Sequence, residues 1–359
     1  MRSPTTRRAL GAFYTPPDVA DRLVERTLPL GTPRVCDPAC GDGAFLLAAA
    51  RHLEDRGIDR VTIARDLLWG TDVDADAVAA ARAAINDWAG VAPDGHVLVA
   101  DGLTHADWHG TFDAVVGNPP FLNQLETATA RRDAHRWAGV AGPYADTAFL
   151  FLLAALDLVR PGGRVALIQP QSLLAARDAR AVRSAVEQRA ALVGMWTCDE
   201  PVFDASVRVC APVLVRGSRR ARNIRRWTGR DFAAAPSASV DGDTWSAALT
   251  RELPRVALDS SRTLGELATA TAGFRDQFYG LAPHVVDVED GQLPRLVTCG
   301  LLDPGRCAWG EREARFARRR WRHPRVDVDR MEPAPLRRWV EERLVPKVVL
   351  ATQTRVLEA

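Results

Sequence analysis

"VCDPACGDGAFLLAAA", Val35 to Ala50, passes from an apolar strand to a helix through a loop with two glycines and two acids. Asp37 stands at the strand's end, Pro38 follows, and Gly41 and Gly43 lead into a helix rich in alanine and leucine. Glycines here let a ligand approach the backbone closely, and the helix offers its N-terminus. A pyrophosphate is the obvious candidate for such a loop, and it fails on charge. Asp37 and Asp42 would repel it, and Phe45 and Leu46 stand near the place of the third glycine of G-x-G-x-x-G. A ligand carrying positive charge fits better.

Working outward, residues 33 to 215 alternate short apolar runs with helical stretches. The runs are "RVCDPA", "LLWGTD", "HVLVAD", "FDAVVGN", "GRVALIQP", "LVGMWT" and "VRVCAPVLV". Between them lie alanine-rich helical segments such as Ala44 to Leu53, Ala75 to Trp88 and Thr147 to Val159. Alternation of this kind predicts an α/β fold with a parallel sheet covered on both faces. The last two runs lack a helix between them, so Phe203 to Val207 is read as the turn of an antiparallel hairpin. Seven strands follow, the last reversed, with the ligand at their carboxyl ends.

Those ends share one chemistry. Asp37, Asp72 and Asp101 close the first three strands and Asn118 the fourth. A strand-end aspartate can be merely the N-cap of the next helix. Three in succession point instead to a shared crevice, where Asp72 suits ribose hydroxyls and Asp101 an adenine amino group. S-adenosylmethionine, with its ammonium and sulfonium beside an adenosine, meets all of these demands.

"FDAVVGNPPFL", Phe112 to Leu122, then places an amide, two prolines and an aromatic ring after the fourth strand. Asn-Pro is also ordinary turn chemistry. Pro119 and Pro120 remove two backbone donors and stiffen the turn. That suits a place where the Asn118 side-chain amide and nearby carbonyls must be held still and pointed at something.

The composition sets the outer limits. At 359 residues the chain has room for two domains. The six cysteines form no CxxC pair, so neither a disulfide frame nor a zinc site is expected, and no metal. "MRSPTTRRAL" has no apolar core behind its arginines, and "AFLFLLAALDLV" is too short to span a bilayer. A cytoplasmic protein without membrane contact is expected. The net charge of +2 hides two arginine-rich runs, "RGSRRARNIRRWTGR" from Arg216 and "RFARRRWRHPR" from Arg315, the second interleaved with Phe316 and Trp321. Such runs can be plain solvated faces; two in one half favour a polyanion, and their arginines would bind phosphates. A catalytic domain over 1–220 and a second, mixed domain over 221–359 are expected. The chain stops at "RVLEA" just after a strand-like run, so the second domain is expected to continue beyond it. The single lysine, Lys347, follows Val345 and Pro346, so the acid-x-Lys pair of a common nuclease centre is not expected.

Taken together, the motifs resemble those of the amino-group (adenine-N6) DNA methyltransferases, of the gamma-like order with cofactor motifs first, as in type II and IIG restriction-modification methylases. The resemblance is close from residue 12 to about 215 and loose thereafter. It implies a class I S-adenosylmethionine-dependent methyltransferase fold with a C-terminal DNA-recognition domain. "AFYTPPDVADRLV" resembles the N-terminal motif, where Thr15 would cap a helix begun by Pro16 and Pro17 and touch the cofactor's methionine end. "DPACGDGAF" resembles the cofactor loop, implying roles for Asp37, Ala39, Gly41 and Gly43; "GTDVD" and "ADGL" give Asp72 and Asp101. "NPPF" matches the catalytic signature at Asn118, Pro119, Pro120 and Phe121. "YADTAFLFLLAALDLV" puts Phe149 near the cofactor adenine, and "DEPVFDASVRVCAPVLV" puts Phe203 beside a flipped target base, stacked with Phe121. Residues 57 to 66 lengthen the gap between the first two strands and are expected as a surface excursion. The loop "NQLETATARRDAHRWAG" is expected to close over the target strand.

The implied function is methyl transfer to adenine N6 in double-stranded DNA, with a restriction endonuclease or specificity subunit left open as partner. A protein-glutamine or ribosomal-RNA base methyltransferase uses related chemistry and stays open. A non-catalytic DNA-binding subunit is disfavoured by the intact Asp37, Asp72, Asp101 and Asn118.

Overall fold

The computed structural model describes residues 15–93, 95–121, 140, 146–203, 207–218, 221, 223–240, 244–249, 262, 264–271, 273–303, 305–332 and 334–350. The expected closing loop (123–139) lies outside the described residues. Two compact units divide the chain, Met1–Pro254 and Arg255–Ala359.

The first unit is built on a ten-stranded sheet. Its strands are β1 (Val35–Asp37), β2 (Leu68–Asp72), β3 (Val97–Val99), β4 (Phe112–Gly117), β5 (Val159–Leu167), β6 (Gln169–Pro170), β7 (Ala190–Cys198), β8 (Val209–Arg216), β9 (Ile224–Thr228) and β10 (Ala233–Ala238). They lie in the order β10-β9-β7-β8-β5-β4-β1-β2-β3, with β6 paired to β8. The seven runs read from the sequence are β1 to β5, β7 and β8. Neighbours from β3 to β5 pair in parallel, and β8 runs antiparallel to both β5 and β7. The reversed strand is therefore present, in a hairpin with β7. The sheet then continues: β9 joins β7 in parallel and β10 closes the edge. The domain boundary consequently falls after Pro254, beyond the expected position at 220.

Alternate residues divide the core, as the strand period of two requires. Phe112, Val115, Val165 and Leu167 join one apolar cluster, and Ala114, Val116, Ala166 and Ile168 join the other. The first face is covered by α4 (Thr147–Leu158) and α5 (Arg180–Arg189), the second by α1 (Pro17–Thr27), α2 (Ala44–Glu54) and α3 (Ala75–Ala89). In α1 the buried Val19, Ala20, Leu23, Val24 and Thr27 follow the helical period. Helix α4 is buried nearly all round, which explains its unbroken apolar sequence.

Residues 57 to 66 form the expected surface excursion only in part: Gly57, Asp59 to Val61, Arg65 and Asp66 are exposed, but Ile63 and Ala64 are buried. Asp59 caps a short turn by accepting from the Thr62 amide at 3.0 Å, and a π-helical turn over Ile63–Leu67 drives Ile63 and Ala64 fully into the core. The apolar pair outweighs the flanking charges.

In the second unit, three two-stranded antiparallel ladders surround a small core. They pair β11 (Val285–Asp287) with β16 (Pro324–Val326), β12 (Leu302–Asp303) with β13 (Arg306–Cys307), and β14 (Ala314–Phe316) with β15 (Arg319–Trp321). Leu301, Phe316, Trp321 and Met331 lie in the core, with Leu336 and Val340 of α6 (Ala334–Glu341). No helix among the described residues is long and apolar enough to cross a membrane.

Candidate active site

The sheet order reverses between β1 and β4, so the loops leaving these neighbours open a crevice at their carboxyl ends. Asp37 ends β1 and is 1% exposed. Burial pushes its carboxyl up to about 8; the Ala39 amide, donating at 3.0 Å, opposes this, while the charges of Asp72 and Asp42 add to it. A cation beside Asp37 would restore the carboxylate.

The walls are close. A β-carbon on Gly102 would lie 2.0 Å from the Pro38 carbonyl oxygen, and one on Gly117 would lie 2.4 Å from Asp37 Oδ1. The loop itself turns through Gly41 and Gly43, with φ of 53° and 90°. Thr71 in β2 ties it down, its hydroxyl donating to the Pro38 carbonyl at 3.0 Å and its carbonyl accepting from the Cys40 amide at 2.8 Å.

Asp72 accepts from the Gly41 amide at 2.9 Å and from the Asp74 amide at 2.9 Å. It is not the helix cap: Asp74 caps α3, accepting from Asp76. Burial raises the Asp72 carboxyl above the usual range. Asp101 accepts from the Leu103 amide at 3.0 Å. Asp37, Asp72 and Asp101 thus each bond the amide two residues on. This repeated Asx turn fixes three carboxylates at three neighbouring strand ends.

The Asn118 amide donates from Nδ2 to Thr15 Oγ1 at 3.1 Å. That contact sets which branch of the amide faces Thr15. It also corrects the capping expected of Thr15: α1 is capped at Pro16 with no side-chain hydrogen bond, and Thr15 holds the Asn118 amide instead. The backbone behind the turn is pinned by the Ile168 amide, which donates to the Gly117 carbonyl at 2.9 Å. Pro119 is buried and Pro120 half-buried. Phe121 and Phe203, some eighty positions apart in the chain, meet edge to face with centroids 6.3 Å apart and planes at 71°. Phe149 is buried in the cluster that contains Leu103, and Ala39 packs against that same cluster.

The sequence reading overlooked Gly102 and Gly117. Each stands directly beside a strand-end polar residue, the signal that could have found them.

Three arginines of the first run bond within the fold. Arg216 donates to the Val159 carbonyl, buried Arg226 to the carbonyls of Ala248 (2.9 Å) and Pro236 (3.2 Å), and Arg230 pairs with Asp18 at 3.3 Å. Arg26 of α1 lies 5.7 Å from the Trp227 ring and 5.2 Å from that of Phe232, which stacks on Trp196 at 4.7 Å. In the second run Arg325 is buried and donates to three carbonyls, while Arg315, Arg318, Arg319 and Arg320 are exposed.

Sheet order and reversed strand are those of the class I S-adenosylmethionine-dependent methyltransferase fold. The chain belongs to the N-6 DNA methylase family, whose model matches residues 2–226. It is similar to the type I restriction enzyme MjaIX methylase subunit of Methanocaldococcus jannaschii, 25% identical over 202 residues that cover 54% of this chain and 35% of that protein. It also resembles the type II methyltransferase M.BanIII of Aneurinibacillus aneurinilyticus, 26% identical over 200 residues, covering 49% and 33% respectively. The chain thus spans about a third of these relatives' length. Among solved structures, one of a DrdV–DNA complex matches with a TM-score of 0.52 and 16% identity over 68% of this chain and 32% of that one. A structure of a type I restriction-modification system matches with a TM-score of 0.50 and 21% identity, covering 61% and 45%. These structural likenesses establish the fold.

Proposed function

We propose that the chain transfers a methyl group to the exocyclic N6 amine of adenine in double-stranded DNA. The family and fold imply S-adenosylmethionine as cofactor, and the crevice suits it. A buried carboxylate held high by its surroundings gains most from a cation, and Asp37 ends β1 where the strand order reverses, with Gly117 packed directly on it. Thr15, Asp37, Ala39, Gly41 and Gly43 would hold the methionine end and the loop, Asp72 the ribose, and Asp101 and Phe149 the adenine. Each carboxylate oxygen of Asp72 accepts one backbone amide, which leaves acceptor capacity for hydroxyls. Bound there, the cofactor supplies an electrophilic methyl group.

The observation that carries the reading is the Asn118–Thr15 hydrogen bond beside the buried acid. Thr15 engages Nδ2, and Oδ1 is the amide's acceptor atom. Asn118 Oδ1 and the Pro119 carbonyl accept the two amine hydrogens and draw the lone pair out of the ring. Pro120 keeps the turn stiff, so these dipoles need little reorganisation. The target base must leave the duplex to arrive here, and Phe121 and Phe203 offer it a stacking surface.

In this reading the reaction runs in the cytoplasm, and the names of the relatives support a restriction-modification setting, with an endonuclease or specificity subunit as the proposed partner. The second unit is the DNA-recognition domain in this reading. The test is methyl transfer from labelled cofactor to duplex DNA, protein and ribosomal RNA. Asn118→Ala should keep cofactor affinity while transfer to adenine falls by about 10²–10³-fold, the usual loss for one preorganised polar group. Near-normal turnover in that variant, or label in a glutamine or RNA base alone, refutes the reading.

A further inference from the structure

We propose that the β14–β15 hairpin of the second unit grips the phosphate backbone of duplex DNA with Arg315 and Arg318; this rests on DNA being the substrate. Its two strands meet in the two-residue turn Ala317-Arg318, with φ of 51° and 61°. Hairpin turns with this twist ordinarily use Asn-Gly, because side chains resist positive φ. Here the tip carries an arginine at the position glycine would fill without strain. Across the ladder, Arg315 stands directly opposite Arg320. Like charges so placed repel.

Only part of this charge is answered internally. Arg320 pairs with Glu313 at 3.3 Å, and the Arg319 guanidinium lies 4.7 Å from the Trp321 ring. Among the described residues no acid lies within ion-pair distance of Arg315 or Arg318. The inner positions, Ala314, Phe316 and Trp321, anchor the ribbon in the core and leave the guanidinium groups in solvent. A cavity of about 530 Å3 lies against this surface, lined by Phe278 and by Arg315, Phe316 and Arg318 to Arg320. A regularly charged polyanion relieves the cross-strand repulsion, and a two-stranded ribbon has the breadth of a DNA groove. Both arginines contact phosphate, so the grip is blind to sequence.

The test is binding of a labelled adenine-containing duplex by the full chain across a salt series. In Arg315→Ala/Arg318→Ala the slope of log affinity against log salt should shrink by about 0.9 for each lost contact, equally for unrelated sequences. The Arg315→Lys/Arg318→Lys variant should restore the slope, which separates charge from folding. An unchanged slope in the alanine variant, or no recovery with lysine, overturns the proposal. If the unsubstituted chain methylates duplex DNA while the alanine slope stays put, the hairpin alone is refuted. If it neither binds nor methylates duplex DNA, the substrate reading falls and takes the hairpin with it.

Discussion

Gly117 sits directly on Asp37: a β-carbon at 117 would stand 2.4 Å from Asp37 Oδ1. The residue that launches the Asn118-Pro119-Pro120 turn therefore packs on the carboxylate of the first loop. In the proposed reaction, cofactor seat and amine-activating turn are one assembly at this point. Gly117→Ala should lower stability by about 1–3 kcal/mol through overpacking. It should also weaken cofactor binding and methyl transfer together. Thermal unfolding with calorimetric titration checks this; a loss of turnover at unchanged affinity contradicts it.

The elevated Asp37 carboxyl makes both stability and binding depend on pH. An unfolded aspartate ionises near 4, whereas burial holds Asp37 protonated up to about 8. Stability from this group is fully present below about pH 4 and is lost as pH rises towards about 8, because the folded state binds the extra proton. Asp37→Asn should flatten stability over that window in denaturant titrations. A cationic ligand prefers the ionised acid, so cofactor affinity should climb over the same window. Its binding should release a proton, read by calorimetry in buffers of different ionisation enthalpy.

Thr15→Val removes the acceptor for Asn118 Nδ2. A lost neutral hydrogen bond is worth about 1 kcal/mol, so transfer should slow roughly fivefold, while Thr15→Ser should retain the wild-type rate. Single-turnover methylation with saturating cofactor separates these outcomes.

Phe121→Ala and Phe203→Ala should each weaken capture of an unstacked base by up to about 3 kcal/mol. The loss should be larger for intact duplex than for a target opposite a mismatch, where unpairing is already cheap. Equal losses on both substrates would argue that the pair only packs.

Particular residues show what could be read in advance. The seven strands of the alternating core were legible because Val, Leu and Ile runs and strand-end acids advertise buried parallel strands. Strands β9 and β10 were not: "IRRWT" and "AAAPSA" carry charge, alanine and Pro236, and β10 tolerates its proline because it lies at the edge. Ile63 and Ala64 were hidden among charged neighbours. The resemblance brought Asn118 and Thr15 into view, but their contact spans 103 positions and no local pattern encodes it.

The ring stack of Trp196 on Phe232, and the Arg26 guanidinium beside Trp227 and Phe232, clasp the outer strands to the helix that follows Thr15. Excising a catalytic fragment at residue 220 would strip Trp196 of its partner and unclasp that helix beside the Thr15–Asn118 bond. A fragment that keeps this clasp must therefore extend past Phe232.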